Sequence, residues 1–324
     1  MTKSYLFKRF MYMLICLFVV ATLVFLMFRL IPGNPVGALV DPGLDAEAIE
    51  MLEKKFGLDK PLHDQYFLYM KNLLQGDFGT SFFYRKPVAE LIGDKILNTI
   101  ILAVVSLIAA YVVGILLGVW IAWRRGSKTE MGIILVSLFF RSAPIFWVGM
   151  LVIMVFSYKL GWFPNAGMRT PGYEASSLLA KYFSLDFLHH LVLPATVYSL
   201  YYLGTPLLLM RNNITEVMSE DFIEMARAKG VSQTGIMYRH AARNALLPVV
   251  TSFTISLGLA IGGQVLIEYV FGWPGLGREI VMAAQRYDYP LAQASFIMLS
   301  LTVMVMNFIA DLIYAFLDPR IGYK

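Results

Sequence analysis

The residues of this chain that carry reactive chemistry are few and widely scattered. Its four histidines, His63, His189, His190 and His240, are separated by long apolar runs. The one adjacent pair falls short of a metal set, so no metal ligation is expected. Gly126-Ser127-Lys128-Thr129 resembles a phosphate loop only superficially. It lacks the preceding glycine spacing and the Gly-Lys-Ser/Thr ending that cradle a phosphate. No nucleophile and base stand at a usable spacing, so the chain is read as not an enzyme, with no catalytic residue. Polar groups inside apolar runs are more informative, because each is costly in lipid and tends to face a cavity or a partner. Arg141 lies well inside such a run. Either it lines a translocation path and meets a solute carboxylate, or it pairs with an acid or with backbone carbonyls. Asn307 and Asp311 share one helix face, being four residues apart. Helix packing is favoured for them over solute contact. Arg29 and Glu268 stand near run ends, where a long side chain reaches water.

A second kind of candidate is the polar stretch 219–248, SEDFIEMARAKGVSQTGIMYRHAARNALLP. Ser219 reads as an N-cap, followed by Glu220 and Asp221 on the positive end of a helix dipole. Lys229 falls in the last turn and Gly230 at the position that favours a left-handed residue. A second helix can start at Ser232. Two capped helices between apolar blocks exceed what a simple connection needs. The stretch reads as a docking surface, the alternative being an interfacial amphipathic segment.

The elements that must position these groups are membrane helices. Apolar residues make up 58% of the chain and charged ones 15%, against about 25% charged in soluble domains. Six runs approach or exceed the ~20 residues needed to cross a bilayer: 10–31, 97–123, 131–160, 191–210, 246–267 and 291–317. The first follows Lys3, Lys8 and Arg9 but is longer than a signal peptide and lacks its cleavage site, so it reads as an uncleaved span. Between it and residue 95 lies a small polar insertion. Helices are expected there at 45–56 and 65–74, and a loop at 76–81. It is too small for its own core and must lean on the spans. Gly114 and Gly118 share one helix face and invite close packing, while Pro144 kinks the third span. A short helix is expected near 175–183. The lone Cys16 excludes an internal disulfide. The net charge of +5 reflects lysine and arginine in cytoplasmic segments rather than nucleic-acid binding. Their density is roughly twice as high in the N-terminus, 124–130, 211–243 and the C-terminus as in the opposite loops, which puts both termini in the cytoplasm.

Several stretches resemble one family. EMARAKG (224–230) looks like the EAA motif of type I ABC importer permeases, through Glu224, Ala226 and Gly230, with Met225 replacing an alanine. RHAARNALLP (239–248) resembles the form found in the peptide and nickel importer group. RLIPGNP (29–35, with Asn34 for the commoner aspartate), residues 56–82, PIFWVG (144–149), FGWPGLG (271–277) and FLDPRIG (316–322) match further signatures of that family in order. The chain is similar to its B-type subunit.

The resemblance implies an all-α polytopic protein with six transmembrane helices, an extracytoplasmic insertion after the first, and a cytoplasmic coupling helix. The expected division is 1–95 for the first helix and insertion, 96–317 for the transmembrane domain, and 318–324 for a cytoplasmic tail. Implied partners are a sister permease in a heterodimer, two ATPase subunits that hold ATP and magnesium, and an extracytoplasmic solute-binding protein. No cofactor is expected on this chain. The location implied is a prokaryotic inner membrane. Ser219, Asp221, Glu224, Ala226, Arg227, Ala228, Lys229 and Gly230 would couple to an ATPase. The expected cargo is a di- or oligopeptide. Nickel or a metal chelate, glutathione, an opine or an oligosaccharide are alternatives within the family, and a stand-alone secondary transporter or channel, or a membrane enzyme, outside it.

Overall fold

A backbone in hydrocarbon has no water to bond, so apolar runs of membrane length must close their hydrogen bonds internally as helices. The structure, a computed structural model, describes residues 3–30, 59–173 and 177–317. Among the described residues the elements are helical, apart from one isolated bridge between Thr80 and Pro87. In chain order they are α1 (Lys3–Leu30), α2 (Leu62–Leu74), α3 (Val88–Trp123), α4 (Lys128–Ser142), α5 (Ile145–Lys159), α6 (Leu178–Phe183) and α7 (Leu185–Val217). Then follow α8 (Asp221–Ala228), α9 (Gln233–Gly263), α10 (Val265–Val270), α11 (Leu276–Gln285) and α12 (Tyr289–Leu317). Helices α1, α3, α7, α9 and α12 are long and apolar enough to cross a membrane, and α4 with α5 makes a sixth when counted as one broken span.

Three expectations change. The third span is broken outright, with α4 and α5 meeting at 105°. Pro144 disfavours the helical conformation in the residue before it, and Ala143 is extended (φ −68°, ψ 140°). The Pro144 carbonyl then starts α5 by accepting from Trp147 N at 3.0 Å. The fifth span begins earlier and ends earlier than 246–267. The helix opening after Ser232 runs straight into it through a π-helical stretch, Ile236–Ala241, and stops at Gln264. The fourth is longer than 191–210. Ser184 caps it by accepting from Phe187 N at 3.2 Å, and its 33 residues extend about 50 Å, well beyond ~30 Å of hydrocarbon. The helix expected at 45–56 and the tail at 318–324 lie outside the described residues.

The described helices group into two compact units. In the unit of residues 1–99 and 274–308, the insertion leans on the spans as its size requires. Phe25 of α1 meets Tyr66 and Tyr69 of α2 at ring distances of 5.3 Å, and Thr22 shares a 2.8 Å hydrogen bond with the Tyr66 hydroxyl. Asp288, fully buried, accepts from the Ser81 hydroxyl and from the backbone N–H groups of Phe82 (3.0 Å) and Phe83 (3.1 Å). That carboxylate ties the loop before α3 to the turn before α12. Lys95 pairs with the buried Glu279. Arg29 lies over the Phe25 ring, 5.5 Å from its centroid, and lines a small cavity with Tyr69 and Gln293. It is half-buried there, against α2. Burial also holds the Tyr69 phenol above its usual range.

In the unit of residues 100–273 and 309–324, α3 and α7 touch at their small residues. A methyl group added to Gly114 would lie 2.7 Å from Pro206 Cγ, and one on Gly118 2.7 Å from the Leu207 carbonyl oxygen. The close approach expected from the glycine spacing is present. Several polar atoms in this core are paired. Ser199 Oγ donates to the Ser106 carbonyl (2.8 Å), the Tyr198 hydroxyl to the Ala260 carbonyl, and Arg211 Nε to Glu130 (2.7 Å). Glu268 is fully buried here, so it does not snorkel.

Candidate functional site

The polar stretch contains a short, well-terminated helix. Its end is a Schellman motif: Gly230 adopts φ +77°, its N–H donates to the Arg227 carbonyl at 2.9 Å, and Val231 N reaches the Ala226 carbonyl at 3.1 Å. Ser232 then caps α9, accepting from Gly235 N at 3.2 Å. The start differs from expectation. Ser219 is not the N-cap, because its hydroxyl donates back to the Glu216 carbonyl at 2.6 Å. Helix α7 runs to Val217, and its unsatisfied final carbonyls compete for that hydroxyl. Glu220 takes the N-cap position without a side-chain bond. Helix α8 is therefore 8 residues, about 12 Å.

Two faces of α8 follow from its period. Ile223 and Ala226 are buried against the chain itself. Ala226 thus packs inward, while Asp221, Glu224, Arg227, Ala228, Lys229 and Gly230 are exposed, as is Ser219. Phe222 and Met225, which the composition of the stretch obscures, also point outward, with Met225 58% exposed. Their spacing of three puts both on one face, giving a rigid helix an apolar contact rimmed by charge.

Arg141 lies at the α4–α5 break, in the last turn of α4. It donates to Thr205 Oγ1 of α7, and among the described residues no carboxylate and no backbone carbonyl pairs with it. It faces a cavity of ≈ 740 Å³ whose wall includes Tyr201, Tyr202, Thr205, Ser252 and Ser256. Behind this wall the Tyr111 hydroxyl bonds Ser252 (2.7 Å) and Ser256 (2.9 Å). None of residues 219–230 lines the cavity. The sequence carries a faint signal for these hydroxyls. Tyr198, Tyr201, Tyr202 and Thr205 recur at i, i+3, i+4 and i+7, one helical face, and Ser252 and Ser256 at i and i+4. Asn307 is exposed and Asp311 half-buried on α12.

The histidines have separate local duties. His189 Nε2 bonds the Trp162 carbonyl at 2.7 Å, and His190 Nδ1 the Asp186 carbonyl at 2.8 Å. Among the described residues no group of three metal-ligating side chains forms.

Comparison with known proteins fits this architecture. Residues 114–323 match the family model described as binding-protein-dependent transport system inner membrane component, and residues 1–103 match the model for its N-terminal part. The oligopeptide transport system permease protein AppB of Bacillus subtilis (strain 168) is 38% identical over 321 residues, 99% of both chains. The glutathione transport system permease protein GsiC of Salmonella typhimurium (strain LT2) is 37% identical over 322 residues, again 99% of both. That of Escherichia coli (strain K12) is 35% identical over 321 residues, with the same coverage. Among solved structures, the inward-facing MetNI methionine ABC transporter superposes with a TM-score of 0.54 at 19% identity, over 70% of this chain and 96% of that one. At that identity the likeness is one of fold. With both family models and full-length relatives in agreement, the chain belongs to the binding-protein-dependent transport system inner membrane components and is a multi-pass permease subunit of an ABC importer, not an enzyme.

Proposed function

We propose that this chain is one of two unlike permease subunits in an importer of short peptides, with glutathione as the nearest alternative cargo. Full-length similarity to permeases named for oligopeptide and for glutathione transport supports that cargo class. Family membership implies ATPase and solute-binding-protein partners. In this reading ATP and magnesium sit on two ATPase subunits in the cytoplasm of a prokaryote, outside the inner membrane that holds this chain.

The observation that carries the coupling role is the short helix α8, closed at its end by Gly230 and exposed on one face. Asp221, Glu224, Arg227 and Lys229 surround an outward apolar pair, Phe222 and Met225. A short rigid helix of this kind passes on the movement of a docked ATPase without absorbing it, because Gly230 and Ser232 hold both sides of the turn behind it. Nucleotide-driven closure of the ATPases would shift α8, and the spans would rock between two packings. The cytoplasmic placement of 219–230 and of both termini follows the basic-residue bias. In this reading 1–95, 96–317 and 318–324 act as entry segment, transmembrane domain and tail. Solute passes by Arg141, while Asn307 and Asp311 serve helix packing.

The test is ATP-driven uptake of a labelled tripeptide, and of glutathione, by vesicles carrying the whole importer. Uptake of either that disappears on deleting the ATPase subunits supports the reading. Activity of this chain without any ATPase refutes it.

A further inference from the structure

We propose that the cavity at the α4–α5 break is a solute-recognition site that selects carboxylate-bearing solutes, with Arg141 as its anion anchor. This deepens the peptide-import reading and rests on it. Arg141 is exposed on the wall of an open cavity within an apolar helix pair, and a guanidinium in such a membrane segment tends to face a cavity or a partner that compensates its charge. Pairing with an acid or with backbone carbonyls would make Arg141 purely structural, and among the described residues it does neither. Among the described residues its hydrogen-bond partner is the neutral hydroxyl of Thr205. A guanidinium presents five N–H donors in a planar fork suited to a carboxylate, so one hydroxyl leaves most of that fork open to the cavity.

The wall supports the same selection. The polar groups facing Arg141 from α7 and α9 are the hydroxyls of Tyr201, Tyr202, Thr205, Ser252 and Ser256, and among the described residues no acidic side chain lines the cavity. Hydroxyls donate or accept by rotating, which suits a solute whose remaining groups vary. A free divalent cation would meet a fixed positive charge and no anionic ligand, contrary to the carboxylate or imidazole donors such ions require. The volume of ≈ 740 Å³ falls within the ~300–1,000 Å³ of small-molecule sites and far exceeds the size of an inorganic anion. Thr205 acts as a positioning residue, holding the guanidinium across α7.

The assembled importer tests this in two ways. Phenylglyoxal modifies arginines, and mass spectrometry can follow the Arg141 peptide alone. Millimolar tri-alanine should protect Arg141 while tri-alanine amide should not. No protection, or equal protection by both, overturns the inference. In uptake of tri-alanine and glutathione, R141Q should lose about 10–100-fold, the fold-change expected for a charged hydrogen bond. R141K should recover a large part of the loss, and ATP hydrolysis stimulated by loaded binding protein should persist. An R141Q complex that no longer assembles, an R141K complex as inactive as R141Q, or wild-type uptake of nickel chloride each counts against the anchor. If wild type moves peptide and R141Q matches it, the anchor alone falls. If wild type moves neither peptide nor glutathione, the peptide reading falls and takes this inference with it.

Discussion

Replacing Gly118 with alanine sets two effects of similar size against each other, and the structure decides between them. In an isolated helix the change is favourable by about 1 kcal/mol, because alanine restricts the unfolded chain and glycine does not. In this fold the new methyl group would lie 2.7 Å from the Leu207 carbonyl oxygen and 2.8 Å from Met210 Cβ. The first of these atoms is backbone, so no rotamer change relieves the clash. Helix α7 must move away from α3 by several tenths of an ångström along a seam that also includes Gly114 and Pro206. Overpacking of this kind costs about 1–3 kcal/mol, which outweighs the propensity gain. Gly93 is the matched control. It is exposed, lies within α3, and a methyl group there meets nothing within 4 Å. Thermal unfolding of the detergent-solubilised importer should show Gly118→Ala melting about 2–6 °C lower and Gly93→Ala unchanged or slightly higher. If both variants gain stability equally, the α3–α7 contact has room for a methyl group and does not constrain position 118.

Other outcomes follow from single contacts. Gly230 has open space around it but φ +77°, so backbone conformation sets its tolerance. Gly230→Val should strain the turn by about 1–2 kcal/mol and separate ATP hydrolysis from uptake, whereas Gly230→Asn should keep both. Equal uptake by the two variants would remove the turn from the coupling role. Met225→Asp puts a charge on the outward apolar face of α8 and should reduce co-purification of the ATPase subunits without lowering the amount of permease in the membrane; unchanged recovery argues for docking elsewhere. Asp288→Ala leaves the Ser81 hydroxyl and two backbone N–H groups without their shared acceptor, at about 1–3 kcal/mol per unsatisfied buried group. Limited proteolysis should then cut near residues 81–84 much faster than in wild type, and an unchanged rate would show that the carboxylate does not hold that loop.

Helix type and number were legible because their signals are local. Runs of apolar residues specify membrane helices through a backbone requirement that no packing detail can override, and glycine spacing on one helix face correctly indicated where α3 would meet a neighbour. The end of α8 was legible for the same reason, since Gly230 and Ser232 act on their own backbone. The start was not. Ser219 has the right side chain for an N-cap, but whether it caps forward or closes backward depends on where α7 ends, and α7 extends to Val217 through packing of its buried face. The break at Pro144 was visible as a perturbation, while its 105° angle reflects how α4 and α5 each find partners.

The candidate cavity divides along the same line. Arg141 stood out by charge alone, because an ionisable group in an apolar run is anomalous under any fold. Its surroundings did not. Tyr201, Tyr202 and Thr205 lie some sixty residues from it in the chain and Ser252 and Ser256 more than a hundred, and their spacing marks a polar helix face without saying what that face meets. By itself the sequence determined membrane insertion, the number of spans and the capped turn at Gly230, since each depends on bonds between near neighbours and on transfer from water to lipid. Only the tertiary structure decided that Arg141 meets the Thr205 hydroxyl, that Ala226 turns inward while Phe222 and Met225 turn outward, and that Asp288 holds a distant loop. Those facts depend on which helices pack together, and packing is decided by contacts between residues far apart in the chain.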